Sequence, residues 1–233
     1  MACYQKFETA NLYITAVSPW LLERSKRSPM LSRFKSSVVM NGVDVRVFKP
    51  RVSNWREKLG ICDNEKMLFY ATASFHPYED NLKGGKYILL LAEILKDQGY
   101  KIVVAANYGK ADKLPSNVIY LGRTNTQIEL AELYSAADLT IITSKLETFS
   151  MPVAESLCCG TPIVGFKAGG PESIALKDFS EFVEYGNIDA MNEAVVKRAN
   201  TEIDSTIVAN EAQKIYSKEV MTNNFMDLYN ECF

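Results

Sequence analysis

The run Lys83-Gly84-Gly85 is one candidate for anion binding in this sequence, beside the helix starts predicted at 148–151 and near Gly170. Its glycines would let a phosphate group approach the backbone closely, and the lysine ammonium would neutralise the phosphate charge. A helix that begins at Gly84 would add unpaired N–H groups and a partial positive charge. Gly-rich helix starts beside a lysine are also common on exposed surfaces, so the run by itself fits a phosphate site and a solvated turn equally well.

Two glutamates lie around the start of another predicted helix. Glu147 directly precedes residues 148–151, where that helix starts, and Glu155 lies about one turn inside it. One carboxylate could accept hydrogen bonds from the adjacent hydroxyl groups of a ribose, and the other could contact a sugar. A solvated or helix-capping carboxylate is the alternative for Glu155.

The elements that must position these residues are predicted to belong to a parallel sheet. Between residues 66 and 184, short β-rich runs alternate with stretches of helical periodicity, which is typical of βαβ units. The predicted strands cover residues 67–74, 101–106, 117–121, 138–143, 162–166 and 181–184, and the predicted helices cover 84–98, 126–137, 151–159, 171–176 and 187–199. We predict an α/β fold with a doubly wound, Rossmann-like parallel sheet. Ligands bind beyond the carboxyl ends of the strands in such sheets, so the loops 74–85, 144–151 and 167–172 should open on one rim.

The flanking segments predict smaller elements. Residues 12–17 predict a strand and residues 19–26 a helix, which together make one βα unit followed by a connector. Residues 205–230 carry apolar side chains at the spacing of an amphipathic helix, with a break expected at 221–224.

The composition excludes several classes of protein. The 233 residues are 47% hydrophobic and 23% charged with a net charge of −2, which excludes disorder and provides no global field to attract nucleic acid. The five cysteines are odd in number and lack a CxxC spacing, which favours the reducing cytoplasm. No apolar run approaches the roughly 20 residues of a membrane span, and the N-terminus lacks the pattern of a secretory signal.

Metal chemistry is not indicated. His76 is the only histidine, and the sequence contains no Asp-x-Asp or HExxH motif. We therefore expect no catalytic metal and no cofactor. His76 itself is either an exposed polar loop residue or a contact to phosphate or sugar.

A chain of motifs gives the sequence a resemblance to a known family. The motifs are Leu121-Gly122, the segments 129–138 and 147–164, and Gly169-Gly170-Pro171-Glu172. In order and spacing they resemble the nucleotide-sugar-binding half of the family 4 (group 1) retaining glycosyltransferases, which have the GT-B fold. The resemblance extends over about residues 38–230. It implies transfer of a sugar from a nucleoside diphosphate sugar to an acceptor hydroxyl, with retention at the anomeric carbon.

The resemblance also implies roles for single residues. Glu155 would bind the ribose hydroxyls, Glu147 with the backbone of 148–151 would hold the donor sugar and diphosphate, and Lys83 would neutralise the leaving diphosphate. Residues 122–124 are similar in position to the loop that touches the nucleobase. The expected catalytic residues are Glu147 and Lys83. The expected substrate-binding residues are Glu155, Gly84, Thr148, Phe149, Ser150, Met151, Ser74, His76, Gly122, Arg123, Thr124 and Gly170.

One departure from the family pattern concerns the diphosphate. Ala73-Ser74 stands where similar enzymes usually carry a Gly-Arg pair, so the second cation for the diphosphate is missing at its usual place. We hypothesise that Arg123 or Lys145 substitutes for it.

The resemblance divides the chain into four parts. Residues 1–37 would be a remnant of the N-terminal acceptor domain, 38–50 the interdomain connector, 51–204 the nucleotide-sugar-binding Rossmann-like domain and 205–233 the C-terminal helices. The expected partners are a nucleotide sugar, a glycan or lipid-linked acceptor and a separate N-terminal acceptor domain, with a role in polysaccharide biosynthesis. Since most of the acceptor domain would be absent, the alternative is a nucleotide-sugar-binding module that is inactive without a separate acceptor domain, because catalysis needs both substrates in reacting geometry.

A local basic cluster is a candidate for peripheral contact with the inner face of the membrane. Its members are Arg24, Lys26, Arg27, Arg33 and Lys35. Each such residue contributes about 1 kcal/mol near an anionic leaflet. A solvated helix face is the alternative interpretation of the same cluster.

Overall fold

The structure of the protein, a computed structural model, describes residues 12–109 and 113–232. At its N-terminal end the strands β1 (Tyr13–Ala16) and β2 (Lys35–Val38) pair in parallel, and the helix α1 (Pro19–Lys26) connects them. Ser18 caps this helix, because its hydroxyl accepts a hydrogen bond from a backbone N–H in the first turn. The segment is therefore a βαβ unit, with one strand more than the predicted βα unit.

Six further strands form the central sheet. They are β3 (Lys66–Phe75), β4 (Tyr100–Gly109), β5 (Val118–Gly122), β6 (Leu139–Ile142), β7 (Ile163–Phe166) and β8 (Ser180–Val183). All neighbours pair in parallel, in the order β5-β4-β3-β6-β7-β8. The predicted doubly wound α/β fold is thus confirmed. Because the chain leaves β3 towards one edge and later returns to β6 beside it, the carboxyl ends of these two strands border a crevice.

Helices cover both faces of the sheet. They are α2 (Trp55–Lys58), α3 (Gly85–Ile94), α4 (Gln127–Ala136), α5 (Met151–Cys158), α6 (Gly170–Ile174), α7 (Ile188–Ala199), α8 (Ser205–Tyr216) and α9 (Lys218–Cys232), with a 3-10 turn at Lys177–Phe179. The helix predicted over 84–98 ends earlier, at Ile94, and Asp97, inside the predicted range, has a φ of 60° that an α-helix does not contain. Within the part of the chain that the structure describes, no helix has the length and apolar character for a membrane crossing.

The expected break in the C-terminal helix at 221–224 is wrong. The break lies at Ser217, between α8 and α9. Val43 of the connector forms a parallel bridge there: its N–H donates to the carbonyl of Tyr216, and its carbonyl accepts from the N–H of Lys218. The bridge pulls Ser217 into an extended conformation and so ends α8.

The core consists of two clusters of apolar side chains, one on each face of the sheet. Successive residues of β3 point to opposite faces, so Leu68 packs in one cluster and Phe69 in the other. Helices α4, α5 and α8 cover the face of Phe69, and α3 and α7 cover the face of Leu68. The loops at the carboxyl edge are thus held by elements packed on both sides.

Candidate functional site

A cleft of about 840 Å³ opens at the carboxyl edge of the sheet. Its floor is formed by the ends of β3 and β4, and its wall by the loop that follows β6 and by the first turns of α5. This is the point where the strand order reverses. The volume lies within the range of pockets that bind small molecules and cofactors.

Lys83 and Glu147 form an ion pair in this cleft. The Lys83 Nζ lies 2.9 Å from the Glu147 Oε1, and the Ser144 hydroxyl donates to the same oxygen at 2.5 Å. The Glu147 side chain is 13% exposed and the Lys83 side chain 37%, so the lysine faces the open side of the pair. A bound anion could therefore reach the ammonium without first displacing Glu147.

The backbone of Lys83 is fixed from below. Its carbonyl accepts hydrogen bonds from the Tyr70 hydroxyl at 2.7 Å and from the Thr143 Oγ1 at 2.8 Å. Gly84 follows in the left-handed region, with φ of 69°, and a Cβ there would lie 2.1 Å from the Thr143 carbonyl oxygen. Glycine is thus required for the chain to pass this close to the end of β6.

Glu147 is held equally firmly through its own backbone. Its N–H donates to the carbonyl of Ala168 at 3.0 Å, and its carbonyl accepts from the N–H of Gly170 at 2.8 Å. A Cβ on Gly170 would lie 2.4 Å from the carbonyl carbon of Thr148. The loops after β6 and β7 therefore form one backbone unit that presents Glu147 to the cleft.

Glu155 approaches the cleft from α5 and is half-buried. The Tyr134 hydroxyl donates a hydrogen bond to its Oε2 at 3.2 Å. Burial raises the pKa of Glu155 to about 7, and the hydrogen bond from Tyr134 opposes this only in part. Near neutral pH Glu155 is therefore present both as the protonated acid and as the carboxylate. Additional hydrogen-bond donors would stabilise the carboxylate.

Ser150 has an unfavourable conformation at the start of α5. Its φ is 84°, in a region that side chains rarely adopt, and it is 5% exposed. Within the described residues its buried hydroxyl has no hydrogen-bond partner. Both features oppose folding in the absence of a ligand.

The change Ser150→Gly should therefore raise the free energy of unfolding by about 1 kcal/mol, because glycine tolerates positive φ and removes the unpaired hydroxyl. Urea denaturation measures the change. The matched control is Ser156→Gly in the same helix, where the hydroxyl is hydrogen-bonded to the Thr140 hydroxyl and to the Thr161 carbonyl and the substitution should destabilise. A loss of stability in Ser150→Gly would contradict the argument.

The structure gathers some of the predicted site residues and leaves others apart. Those that line the cleft are Lys83, Glu147, Glu155, Thr148, Phe149, Ser150, Met151 and Thr124. Those outside its lining are Ser74, His76, Gly84, Gly122, Arg123 and Gly170. Gly84 and Gly170 act through the backbone packing described above. Ser74 belongs to the last part of β3, and the carbonyl of His76 accepts from the Asn81 amide in the following turn.

Neither hypothesised substitute for the missing cation lines the cleft. Arg123 lies beyond the carboxyl end of β5. The Lys145 ammonium instead lies over the ring of Tyr185, 5.9 Å from its centroid. The side chain of Lys145 is thus directed towards Tyr185 and does not line the cleft.

Residues 52–215 match the family model described as "Glycosyl transferases group 1". The chain belongs to this family. The matched segment contains the whole central sheet as well as Lys83, Glu147 and Glu155.

The chain is similar to several individual members of this family and to solved structures. It is 24% identical to the N-acetyl-alpha-D-glucosaminyl L-malate synthase of Bacillus anthracis, over 81% of this chain and 50% of that protein. Among solved structures, it is similar to the sucrose-phosphate synthase of Thermosynechococcus elongatus, with a TM-score of 0.76, 18% identity and coverage of 97% of this chain and 60% of that one. It is also similar to HepE of Anabaena, solved with UDP and glucose, with a TM-score of 0.72, 16% identity and coverage of 99% and 66%. These neighbours support the GT-B fold, and the chain spans about half the length of curated relatives that it matches, or less.

Sequence reasoning missed a group of cleft residues from outside the matched segment. They are Trp20, Leu21 and Arg24 of α1 and Asn41 of the connector. Arg24 appeared only as a member of the basic cluster, because its partners in the cleft are far away along the chain. The i, i+4 spacing of Trp20 and Arg24 is the one local signal that the two side chains share a helix face.

Another missed residue is Tyr134, which lies inside the motif segment 129–138. Its ring packs edge-on against Phe69 at a centroid distance of 5.0 Å, and burial raises the pKa of its hydroxyl well above the usual value. The hydroxyl therefore stays a donor to Glu155 over the physiological pH range. As for metals, no group of three or more His, Cys, Asp or Glu side chains able to hold an ion occurs within residues 12–109 and 113–232.

Proposed function

We propose that this chain forms the donor-binding portion of a retaining glycosyltransferase that takes its sugar from a nucleoside diphosphate sugar. The observation that carries the proposal is the meeting of Lys83, Glu147 and Glu155 in one cleft at the switch point of the sheet. A cation and a helix N-terminus can bind the diphosphate of such a ligand, and a carboxylate can accept hydrogen bonds from its hydroxyl groups.

Each part of the donor has a matching group in this proposal. The diphosphate lies between the Lys83 ammonium and the first turn of α5, where the helix dipole favours an anion. The ribose hydroxyls donate to Glu155, and the sugar lies beside Glu147. The open side of the Lys83–Glu147 pair faces the ligand, so the ammonium can serve both partners.

In the transfer step, the bond between the sugar C1 and the phosphate oxygen breaks and the diphosphate leaves with the electron pair. The acceptor hydroxyl oxygen forms the new bond to C1 on the same face, and its proton passes to the departing phosphate. Negative charge grows on the diphosphate during this step. A cation already in place, such as Lys83, stabilises that charge more in the transition state than in the ground state.

We include in the proposal an acceptor hydroxyl on a glycan or a lipid-linked sugar and a role in polysaccharide biosynthesis in the cytoplasm. The support for these parts is the resemblance of the motifs. The acceptor would approach from the side of α1 and the connector, since Trp20 and Asn41 form that edge of the cleft.

The test is a thermal-shift panel of UDP, GDP, ADP and their sugars. We expect the nucleotides of one base to bind. At 100 times its dissociation constant, such a nucleotide should raise the free energy of unfolding by about 2.7 kcal/mol. Lys83→Met should weaken binding of that diphosphate by about 10- to 100-fold, because a charge-assisted contact is lost and Glu147 is left uncompensated.

Lys86→Met is the matched control for this variant. Lys86 lies in the first turn of α3, pairs with Asp80 at 2.7 Å and does not line the cleft. Its replacement should leave nucleotide affinity unchanged. No response to any nucleotide, or an equal response of the wild type and Lys83→Met, would overturn the proposed function.

A further inference from the structure

A diphosphate ligand needs more positive charge in the cleft than the Lys83–Glu147 ion pair supplies. The charged side chains there are Arg24, Lys83, Glu147 and Glu155. Lys83 and Glu147 already form a pair, so together they offer little net charge. A diphosphate carries at least two negative charges. Arg24 is the remaining cation of the cleft, and the salt bridges among the described residues do not include it.

The guanidinium of Arg24 is held in place by an aromatic ring. It stacks over the indole of Trp20, 4.8 Å from the ring centroid. That indole in turn packs on Gly169 at the start of α6, where a Cβ would lie 2.4 Å from the ring. The other face of the guanidinium and its N–H groups remain available to a ligand, because Arg24 is exposed.

A second contact fixes the helix itself to the loop that carries Glu147. The Ser18 hydroxyl, fully buried at the cap of α1, donates to the carbonyl of Thr148 at 2.6 Å. Ser18 and Trp20 thus join α1 to the two loops that follow β6 and β7. Arg24, one turn further along α1, is carried to the edge of the same cleft.

We propose that Arg24 is the second cation of this cleft and binds a phosphate oxygen of the donor diphosphate opposite Lys83. The inference rests on the proposed function and assigns to α1 a part in donor binding. A guanidinium suits the task, since its planar donors bind two phosphate oxygens at once. In this assignment the residues outside the matched family segment supply a phosphate contact that neither Arg123 nor Lys145 is placed to make.

Titration calorimetry of the full chain tests the inference with the nucleoside diphosphate that the panel identifies, its monophosphate and its nucleoside. We expect Arg24→Gln to raise the dissociation constant of the diphosphate about tenfold and to leave that of the nucleoside unchanged. The dissociation constant of the diphosphate for Arg24→Lys should lie between those for the wild type and for Arg24→Gln, because lysine retains the charge and loses the paired N–H donors. The salt dependence of diphosphate binding should become less steep in Arg24→Gln.

The matched control is Arg27→Gln. Arg27 lies on the same helix and in the same basic cluster, but it pairs with Glu23 and does not line the cleft. We expect its replacement to leave diphosphate affinity at the wild-type value.

The outcomes separate the inference from the function on which it rests. If the wild type binds the diphosphate and Arg24→Gln binds it equally well, the inference is wrong and the proposed function stands. An equal loss of nucleoside and diphosphate affinity would make Arg24 a structural residue and also overturn the inference. A further measurement compares the binding of the wild type and of Arg24→Gln to vesicles of phosphatidylcholine with phosphatidylglycerol. Loss of vesicle binding in Arg24→Gln, with diphosphate affinity unchanged, would assign Arg24 to the basic cluster that contacts a membrane and would overturn the inference. Absence of nucleotide binding by the wild type would overturn both.

Discussion

Gly84→Ala is expected to lower the free energy of unfolding by about 3 kcal/mol, while Gly60→Ala lowers it by only about 1 kcal/mol. The two glycines have nearly the same backbone conformation, with φ of 69° and 66°. An added Cβ at Gly84 lies 2.1 Å from the Thr143 carbonyl oxygen, whereas at Gly60 nothing lies within 4 Å. Gly60 thus reports the strain of positive φ alone, and the difference between the variants reports the clash.

The clash at Gly84 should also reach the ligand site. To relieve it, the backbone must move away from β6, which breaks the hydrogen bonds from Tyr70 and Thr143 to the Lys83 carbonyl. Lys83 then loses its fixed position, and nucleotide affinity should fall in Gly84→Ala but not in Gly60→Ala. Urea denaturation and the nucleotide panel measure the two effects. Equal destabilisation by the two substitutions would contradict the clash, because it would mean that the backbone accommodates a Cβ at Gly84 as easily as at Gly60.

The central sheet could be predicted from the sequence because its signal is local. Runs such as Leu139–Ile142 are apolar without alternation, as strands covered on both faces must be, and helical periodicity separates them. Since the carboxyl ends of parallel strands meet at one edge, the order of the elements alone brought Lys83 and Glu147 to the same rim. Their ion pair then follows from opposite charges on adjacent loops.

Features that depend on contacts between distant parts of the chain could not be predicted from the sequence. The break at Ser217 exists because Val43 bridges to it, and nothing in the local sequence of α8 or α9 indicates that bridge. Trp20 and Arg24 enter the cleft because Ser18 finds a carbonyl on another loop. The hydrogen bond of Tyr134 to Glu155 likewise joins two helices whose register only the folded core defines.

The pKa of Glu155 predicts a dependence of stability on pH opposite to that of most surface carboxylates. The unfolded chain loses this proton near pH 4.5, whereas burial raises the pKa in the folded protein to about 7. Between these values the folded state binds the proton and the unfolded state does not, so stability falls as pH rises through this window. We expect this group to account for about 2 to 3 kcal/mol of that fall. Glu155→Gln should remove it, because the amide does not titrate.

Donor binding should reverse the preference for the proton. Two ribose hydroxyls that donate to Glu155 stabilise its carboxylate, so affinity should increase from pH 6 to about pH 7.5 and binding at pH 6.5 should release a proton. The probe is the nucleoside diphosphate sugar rather than the free diphosphate, because a terminal phosphate titrates in the same range (pKa about 6) and a fully esterified one does not. Calorimetry at pH 6.5 in two buffers of different ionisation enthalpy measures the released proton. Identical heats in both buffers, or proton release that persists in Glu155→Gln, would remove Glu155 from the ribose site while leaving the roles of Lys83 and Arg24 to their own tests.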